Sequence, residues 1–196
     1  TDASVSSIHF YGQDLDFYDL GGDVSWQAPN DTEHLDAYLV YLAEGATGIG
    51  RSQLGSAVPP EVLKLHVPSN TKRANFTHFT VYTRSVLVEQ TTPAFLAIQD
   101  EASRANNVSF IDDDLDLGEI GGNLTWLPPV DDSEVIDYVI YLAEDRFGSN
   151  RSLLGNVTVD TYSFPVPENT QLLRHTHLLV YARSVLEEQT TPAAVV

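Results

Sequence analysis

Acidic side chains cluster at two corresponding places in the sequence. Asp14 and Asp16 flank Leu15, and a longer acidic run follows one hundred residues later. That run contains Asp112, Asp113, Asp114 and Asp116. Closely spaced carboxylates repel one another unless water or a cation separates them, and calcium takes about six to eight oxygen ligands. The pattern predicts calcium binding, with solvated acidic turns as the alternative.

Six Asn-x-Ser/Thr sequons are a second set of candidates, because each is an acceptor for N-glycosylation in a secretory pathway. Their asparagines are Asn30, Asn75, Asn107, Asn123, Asn150 and Asn156. Asn123 alternates with Leu124 and Trp126, which predicts that its side chain points outward. The alternative is that these motifs serve only as turns and strand edges. We expect several sequons to be occupied, which favours an extracellular or cell-surface location.

The composition excludes several classes of function. The 196 residues include 28 acidic and 10 basic side chains, for a net charge of −18. Such a chain repels nucleic acid phosphates and anionic lipids, and no apolar run reaches the roughly 18 residues of a membrane helix, so we expect neither partner. The absence of cysteine excludes disulfides, zinc thiolates and cysteine nucleophiles. No common catalytic motif is present, so we expect no enzyme.

The chain contains one sequence unit twice. The segment Tyr-Leu-Ala-Glu at 41–44 returns at 141–144, and similar matches extend through both halves. Self-similarity at a fixed period indicates tandem domains that share one fold. We therefore predict two domains, at residues 1–100 and 101–196.

Within each unit the hydrophobic pattern has a period of two. Val24 and Trp26 alternate with polar neighbours, and Tyr38, Val40 and Leu42 form one face of another segment. Alternation bounded by Gly, Pro, Asn and Asp is typical of half-buried β-strands. In the first unit we predict seven strands, near residues 5–11, 23–28, 37–44, 52–57, 62–67, 76–87 and 93–99. The predicted fold class is all-β, with two tandem seven-stranded Greek-key β-sandwiches.

Three segments of the first unit together resemble a fibronectin type III module. They are Val-Ser-Trp-Gln-Ala-Pro at 24–29, Tyr-Leu-Val-Tyr at 38–41 and Phe-Thr-Val-Tyr-Thr-Arg-Ser at 79–85. The resemblance implies an immunoglobulin-like sandwich in which Trp26 and its counterpart Trp126 pack beneath neighbouring strands. The Asp-Leu-Asp, Tyr-Leu-Ala-Glu and Glu-Gln-Thr-Thr-Pro signature is also similar to repeats in very long surface proteins of marine protists.

The type III resemblance also implies a place for a cation. In such a module the loop that carries Asp14 and Asp16 lies at the end where the chain leaves the domain. Four further acids are expected near that end: Asp100, Glu101, Asp131 and Asp132. The resemblance therefore predicts a Ca²⁺ ion between the modules, and the Asp112–Asp116 run would be the corresponding cluster at the far end.

A possible binding face follows from the same topology. Tyr41 and Tyr82 are expected to lie opposite the core on neighbouring strands and to pair across them, with Arg84 close to Glu44. The corresponding residues in the second unit are Tyr141, Tyr181 and Arg183. A semi-apolar outer face can mark a contact surface, whereas the alternative is ordinary cross-strand stabilisation.

These patterns favour a structural or adhesive function. We expect a non-enzymatic spacer of tandem β-sandwich repeats, taken from a longer extracellular and glycosylated array. Its expected partners are neighbouring repeats of the same chain or fibre, with glycans or surface proteins as further candidates. The alternatives are a carbohydrate- or protein-binding module that uses the tyrosine face, and the accessory domains of a larger enzyme.

Overall fold

A computed structural model describes residues 3–196 of the chain. The chain forms two compact units. Unit 1 contains the residues up to Gln13 and Tyr18–Asp100, and unit 2 contains Asp14–Phe17 and Glu101–Val196. The boundary between the units therefore lies between Asp100 and Glu101. Residues 14–17 belong to unit 2, although they fall within the range predicted for the first domain.

Unit 1 is a β-sandwich of seven strands. Its strands are β1 (Ser6–Gly12), β2 (Asp19–Gln27), β3 (Ala37–Ala43), β4 (Ser52–Gln53), β5 (Lys64–Lys72), β6 (His78–Arg84) and β7 (Ala94–Ala97). One sheet has the order β1-β2-β5 and the other has the order β4-β3-β6-β7. All pairs are antiparallel, and β2 pairs with β5 after the chain has crossed to the other sheet and returned.

Unit 2 repeats this architecture. Its strands are β8 (Asn106–Asp112), β9 (Glu119–Leu127), β10 (Asp137–Ala143), β11 (Ser152–Thr158), β12 (Ser163–Gln171), β13 (His177–Arg183) and β14 (Ala193–Val195). The sheet orders are β12-β9-β8 and β11-β10-β13-β14. Over the described residues the chain contains no helix, and so none long and apolar enough to cross a membrane. The predicted fold class is confirmed.

The alternating residues fill the space between the two sheets of each unit. Trp26 lies edge-on to Tyr38, with 5.2 Å between the ring centroids, and both side chains are buried with Val24 and Val81. In unit 2, Trp126 and Tyr138 make the same contact at 5.4 Å. Because alternate side chains of a strand point to opposite faces, the period-two pattern correctly identified these core positions.

The fourth strand is where the two units differ most. The predicted strand near 52–57 is reduced to Ser52–Gln53 in unit 1, whereas β11 of unit 2 continues to Thr158. Gly55 takes a left-handed conformation with a φ of 60°, which ends regular pairing with β3, while Gly155 stays within β11. A change of backbone handedness at one glycine therefore shortens the strand.

Candidate functional site

The predicted tyrosine pair belongs to a four-residue group, called here the tyrosine cluster. In unit 1 it consists of Tyr41, Arg51, Tyr82 and Glu89. The two rings are T-shaped at 5.5 Å, and the Arg51 guanidinium lies 4.6 Å from the Tyr41 centroid and 4.3 Å from that of Tyr82. Glu89 accepts a 2.7 Å hydrogen bond from the Tyr41 hydroxyl and pairs with Arg51 at 2.7 Å.

Unit 2 contains the same tyrosine cluster, formed by Tyr141, Arg151, Tyr181 and Glu188. The rings are T-shaped at 5.5 Å, and the Arg151 guanidinium lies 4.4 and 4.5 Å from their centroids. Glu188 accepts a 2.9 Å hydrogen bond from the Tyr141 hydroxyl and pairs with Arg151 at 2.8 Å. The arrangement combines cation–π contacts, an ion pair and a charge-assisted hydrogen bond in each unit.

The inner tyrosine of each cluster is closed to a ligand, whereas Arg51 and Arg151 are exposed. Tyr82 and Tyr181 are each only 2% exposed. Gly48 lies against the Tyr82 hydroxyl so closely that an added Cβ would be 1.9 Å from its oxygen, and Gly148 covers Tyr181 in the same way at 2.3 Å. The tyrosine pairing is therefore as predicted, while the use of this face for binding stays an untested prediction.

The two arginines predicted for the binding face, Arg84 and Arg183, form ion pairs outside the tyrosine cluster. Arg84 was expected near Glu44, but it pairs with Asp36 at 2.7 Å, so that prediction is wrong. The antiparallel register aligns Ala37 with Arg84 and Ala43 with His78, which places Glu44 at the opposite end of the strand pair. Arg183 likewise pairs with Asp137. Sequence reasoning missed Arg51 and Glu89, although both recur in the repeat as Arg151 and Glu188.

Removing the carboxylate of the cluster tests how much it stabilises unit 1. Glu89→Ala leaves Arg51 and the Tyr41 hydroxyl without their shared acceptor, so we expect a loss of about 1–3 kcal/mol of unfolding free energy. Urea denaturation followed by circular dichroism measures it. Glu61→Ala removes an exposed carboxylate and should stay within about 0.5 kcal/mol. Equal effects of the two substitutions would contradict a stabilising role for the cluster.

The buried tyrosines predict alkaline sensitivity. Burial, followed by the hydrogen bond to Glu89, raises the pKa of Tyr41 to about 12, and burial also raises the pKa of Tyr38 and Tyr138. The unfolded chain loses these protons near pH 10, so it binds fewer protons than the folded chain between about pH 10 and 12. Stability is therefore fully present below pH 10 and falls as the pH rises towards 12. Denaturation at stepped pH should show this fall, and Tyr41→Phe should make it shallower; an unchanged slope would contradict the assignment.

The acidic run of unit 2 brings some of the predicted calcium ligands together. Carboxylate oxygens of Asp114, Asp116 and Glu119 lie within 4.8 Å of one another, the one group of this kind among the described residues. Glu119 was not predicted. Asp112 instead accepts hydrogen bonds from the amides of Asp114 and Gly121, and Asp113 is exposed. Amide hydrogen bonds from Asn169 and Asp116 lower the pKa of Asp114, which keeps it ionised.

Calcium binding at this group stays a prediction. We expect calorimetry to detect binding at about 10⁻⁴–10⁻³ M, the range of extracellular modules. Asp114→Asn combined with Asp116→Asn should abolish the heat, because it removes two of the three carboxylates, while Asp160→Asn should leave it unchanged. No heat from the original chain at millimolar calcium would contradict the prediction.

Four of the remaining predicted ligands have protein partners in their own unit. In unit 1, Asp100 accepts from the Tyr18 amide at 2.9 Å and lies 3.3 Å from Arg73. In unit 2, Asp131 accepts from the Ser133 amide, Asp132 from the Tyr162 hydroxyl and Asp14 from the Asp16 amide. Glu101 is exposed. Calcium at these residues stays a prediction.

Asp16 of unit 2 is held by three hydrogen-bond donors. Its carboxylate accepts from the amides of Thr190 at 2.6 Å and Thr191 at 3.1 Å, and from the Thr191 hydroxyl. The side chain is only 2% exposed. The Glu-Gln-Thr-Thr-Pro motif that supplies these donors is repeated in the sequence, and that repetition was the available signal.

The six sequon asparagines, Asn30, Asn75, Asn107, Asn123, Asn150 and Asn156, are all exposed. Asn123 points outward from β9 as the alternation predicted. The Asn150 amide donates to Glu144 at 2.9 Å and the Asn156 amide donates to Asp137 at 3.1 Å. Surface position is a requirement for glycosylation, and all six sites meet it.

No family model matches the chain, and no curated protein matches it. Among solved structures it is similar to the chicken CNTN1 FN1-FN3 domains, with 15% identity and a TM-score of 0.40 over 99% of this chain and 67% of that chain. It is also similar to domains A168-A170 from titin, with 13% identity and a TM-score of 0.38 over 99% and 66%. Similarity at this level carries no argument about function, and the fold assignment follows from the strand order.

Proposed function

We propose that the chain is a non-enzymatic structural spacer, a pair of tandem modules from a longer extracellular and glycosylated array. The repeat signature of the chain resembles that of repeats in long surface proteins of marine protists, and we propose an array of the same kind. One observation carries the proposal. The arginine and glutamate of the tyrosine cluster, which recur in both units and could do chemistry, are engaged in internal contacts of their own unit.

The tyrosine cluster illustrates this use of repeated residues. Arg51 and Glu89 of unit 1, and Arg151 and Glu188 of unit 2, are the kind of charged pair that a catalytic or binding site would employ. In each pair the arginine instead stacks on the two tyrosine rings, and the glutamate accepts a hydrogen bond from one of the tyrosine hydroxyls. Residues that are repeated for stability preserve the fold from one module to the next, and repetition sets the length of an array without new chemistry.

The extracellular part of the proposal is supported by the six exposed sequons. Peptide mass spectrometry on protein from its native source tests it. We expect glycans on several of the six asparagines. Six unmodified asparagines would overturn the extracellular, glycosylated setting; bacterially produced protein serves as the unglycosylated mass standard.

The spacer role is tested by stretching the chain between two handles in a force spectrometer. Two sandwiches of this topology should unfold in two steps, each releasing roughly 300 Å of chain at about 3.3–3.6 Å per residue. A chain that extends without resolved steps would overturn the role. Saturable binding of a glycan or protein at the tyrosine cluster, abolished by Arg51→Ala, would favour the binding-module alternative.

A further inference from the structure

Unit 2 contains a short segment that is held by a specific set of contacts. This anchor segment comprises residues 14–17. Leu15 is 3% exposed and belongs to the hydrophobic core of unit 2. Its carbonyl oxygen accepts from the Ser103 amide at 3.1 Å and from the Gln189 side-chain amide at 3.1 Å. The apolar side chain and the backbone are therefore both bound.

The acid that follows completes the attachment. Asp16 accepts from two successive amides and one hydroxyl, all from Thr190 and Thr191. Hydrogen bonds to an ionised carboxylate are about twice as strong as those between neutral groups. The Leu-Asp pair is thus recognised by a fixed receiving site, formed by an apolar pocket, a glutamine side chain and the Thr-Thr amides.

The same sequence recurs in unit 2, but there its leucine is exposed to solvent. Asp114-Leu115-Asp116 repeats Asp14-Leu15-Asp16, and we call residues 114–117 the second anchor segment. Leu115 is 98% exposed, and Leu117 is fully exposed. The two exposed leucines flank Asp116, and the buried counterpart of the first, Leu15, shows what kind of site covers such a residue.

Unit 1 carries the counterpart of the receiving site. Gln90, Thr91 and Thr92 correspond to Gln189, Thr190 and Thr191. Among the described residues, neither the Thr91 nor the Thr92 amide donates to a protein acceptor. A cavity of about 290 Å³ lies beside Gln90, lined also by Ala3, Leu35, Thr83 and Arg84. Leu35 is the counterpart of Val135, which lines the core that holds Leu15.

The charged lining of the cavity is mixed. Arg84, which pairs with Asp36, lies there together with His34 and Asp31. The Gln90 side-chain amide donates to Ser4 at 2.8 Å and would exchange this acceptor for an incoming carbonyl. Such an exchange keeps the number of hydrogen bonds constant.

We propose that the second anchor segment of one copy binds the receiving site of unit 1 in another copy. Leu115 enters the cavity, the Leu115 carbonyl accepts from Gln90, and the Asp116 carboxylate accepts from the Thr91 and Thr92 amides. The contact joins two different surfaces, so it is heterologous and can extend into an open chain of copies. It rests on the proposed array function for its biological setting, since it names the surface through which neighbouring repeats join.

Nuclear magnetic resonance of the purified chain tests the contact at the atoms involved. The ¹⁵N-labelled sample is the chain with the Leu115→Asp substitution, which keeps the receiving site of unit 1 and lacks the leucine of the second anchor segment. Unlabelled original chain is added up to millimolar concentration. We expect the Thr91 and Thr92 amide proton resonances to move downfield as they gain an acceptor, with a midpoint at or below the millimolar effective concentration that a short linker supplies.

Matched additions separate this contact from general association. Unlabelled Leu173→Asp chain changes another exposed leucine of unit 2 and should shift the two amides as the original chain does. Unlabelled Leu115→Asp chain should produce no shift of the two amide resonances. Unlabelled Asp116→Ala chain should reach the same shift only at a concentration at least about tenfold higher. Absence of shifts with the original chain, or equal shifts with Leu115→Asp chain, would overturn the contact. Neither outcome bears on glycan occupancy or stepwise unfolding, which test the array proposal separately.

Discussion

Trp26→Ala and Trp126→Ala are each expected to lower the unfolding free energy by about 3–5 kcal/mol, because each removes a large aromatic side chain from a closed core. The indoles are 4% and 3% exposed, and each lies edge-on to a fully buried tyrosine. The residual cavity adds to the lost transfer free energy, since the two facing sheets relax only in part. Urea denaturation followed by far-ultraviolet circular dichroism measures the loss.

Leu127→Ala is the control for this experiment. Leu127 follows Trp126 on β9 but is more than half exposed, so its truncation should change stability by no more than about 0.5 kcal/mol. Acrylamide quenching gives an independent check, because buried indoles should be poorly accessible. A tryptophan substitution that costs no more than the control would contradict the assigned core.

Gly22→Ala is expected to be nearly as damaging, with a loss of about 3 kcal/mol or more. Gly22 has a φ of 125°, and an added Cβ would lie 1.9 Å from the Tyr11 carbonyl oxygen on the paired strand. A left-handed backbone for a residue with a Cβ costs about 1–3 kcal/mol, and the collision adds to this because β1 must move away from β2. Gly122→Ala should behave alike, since its Cβ would lie 2.3 Å from the Ile111 oxygen.

Gly118→Ala separates the two causes. Gly118 has a φ of 89°, but an added Cβ would have no atom within 4 Å. Its substitution should therefore show the backbone cost only, about 1–2 kcal/mol. Thermal or urea denaturation of the three alanine variants should rank Gly118→Ala as the mildest. If Gly118→Ala were the most damaging of the three, the close approach of the paired strands would not be the reason for glycine at positions 22 and 122.

Local patterns were sufficient to predict the sandwich. The alternation around Trp26 and Tyr38 identifies which side chains face inward, because the two faces of a strand are fixed by its pleat. The same alternation correctly placed Asn123 on the outer face. Register is different, because it depends on how two distant segments align. Arg84 was therefore assigned to Glu44, whereas the observed register places it beside Asp36.

The tyrosine cluster, too, could be predicted from the sequence only in part. Pairing of Tyr41 with Tyr82 follows from neighbouring strands, so the sequence suffices for it. Arg51 and Glu89 lie on a connecting segment and beyond the end of β6, and no local rule brings their charges together over the two rings. Their recurrence as Arg151 and Glu188 marked them as important without revealing the contact that they make.

The sequence by itself determined that the chain is a duplicated all-β protein, because strand periodicity and repetition are properties of residue order. It did not determine the state of the acidic loops. Asp14-Leu15-Asp16 and Asp114-Leu115-Asp116 are the same three letters, yet Leu15 is 3% exposed and Leu115 is 98% exposed. Burial depends on whether an apolar pocket and amide donors from a loop distant in sequence meet the segment, and only the tertiary structure decides that.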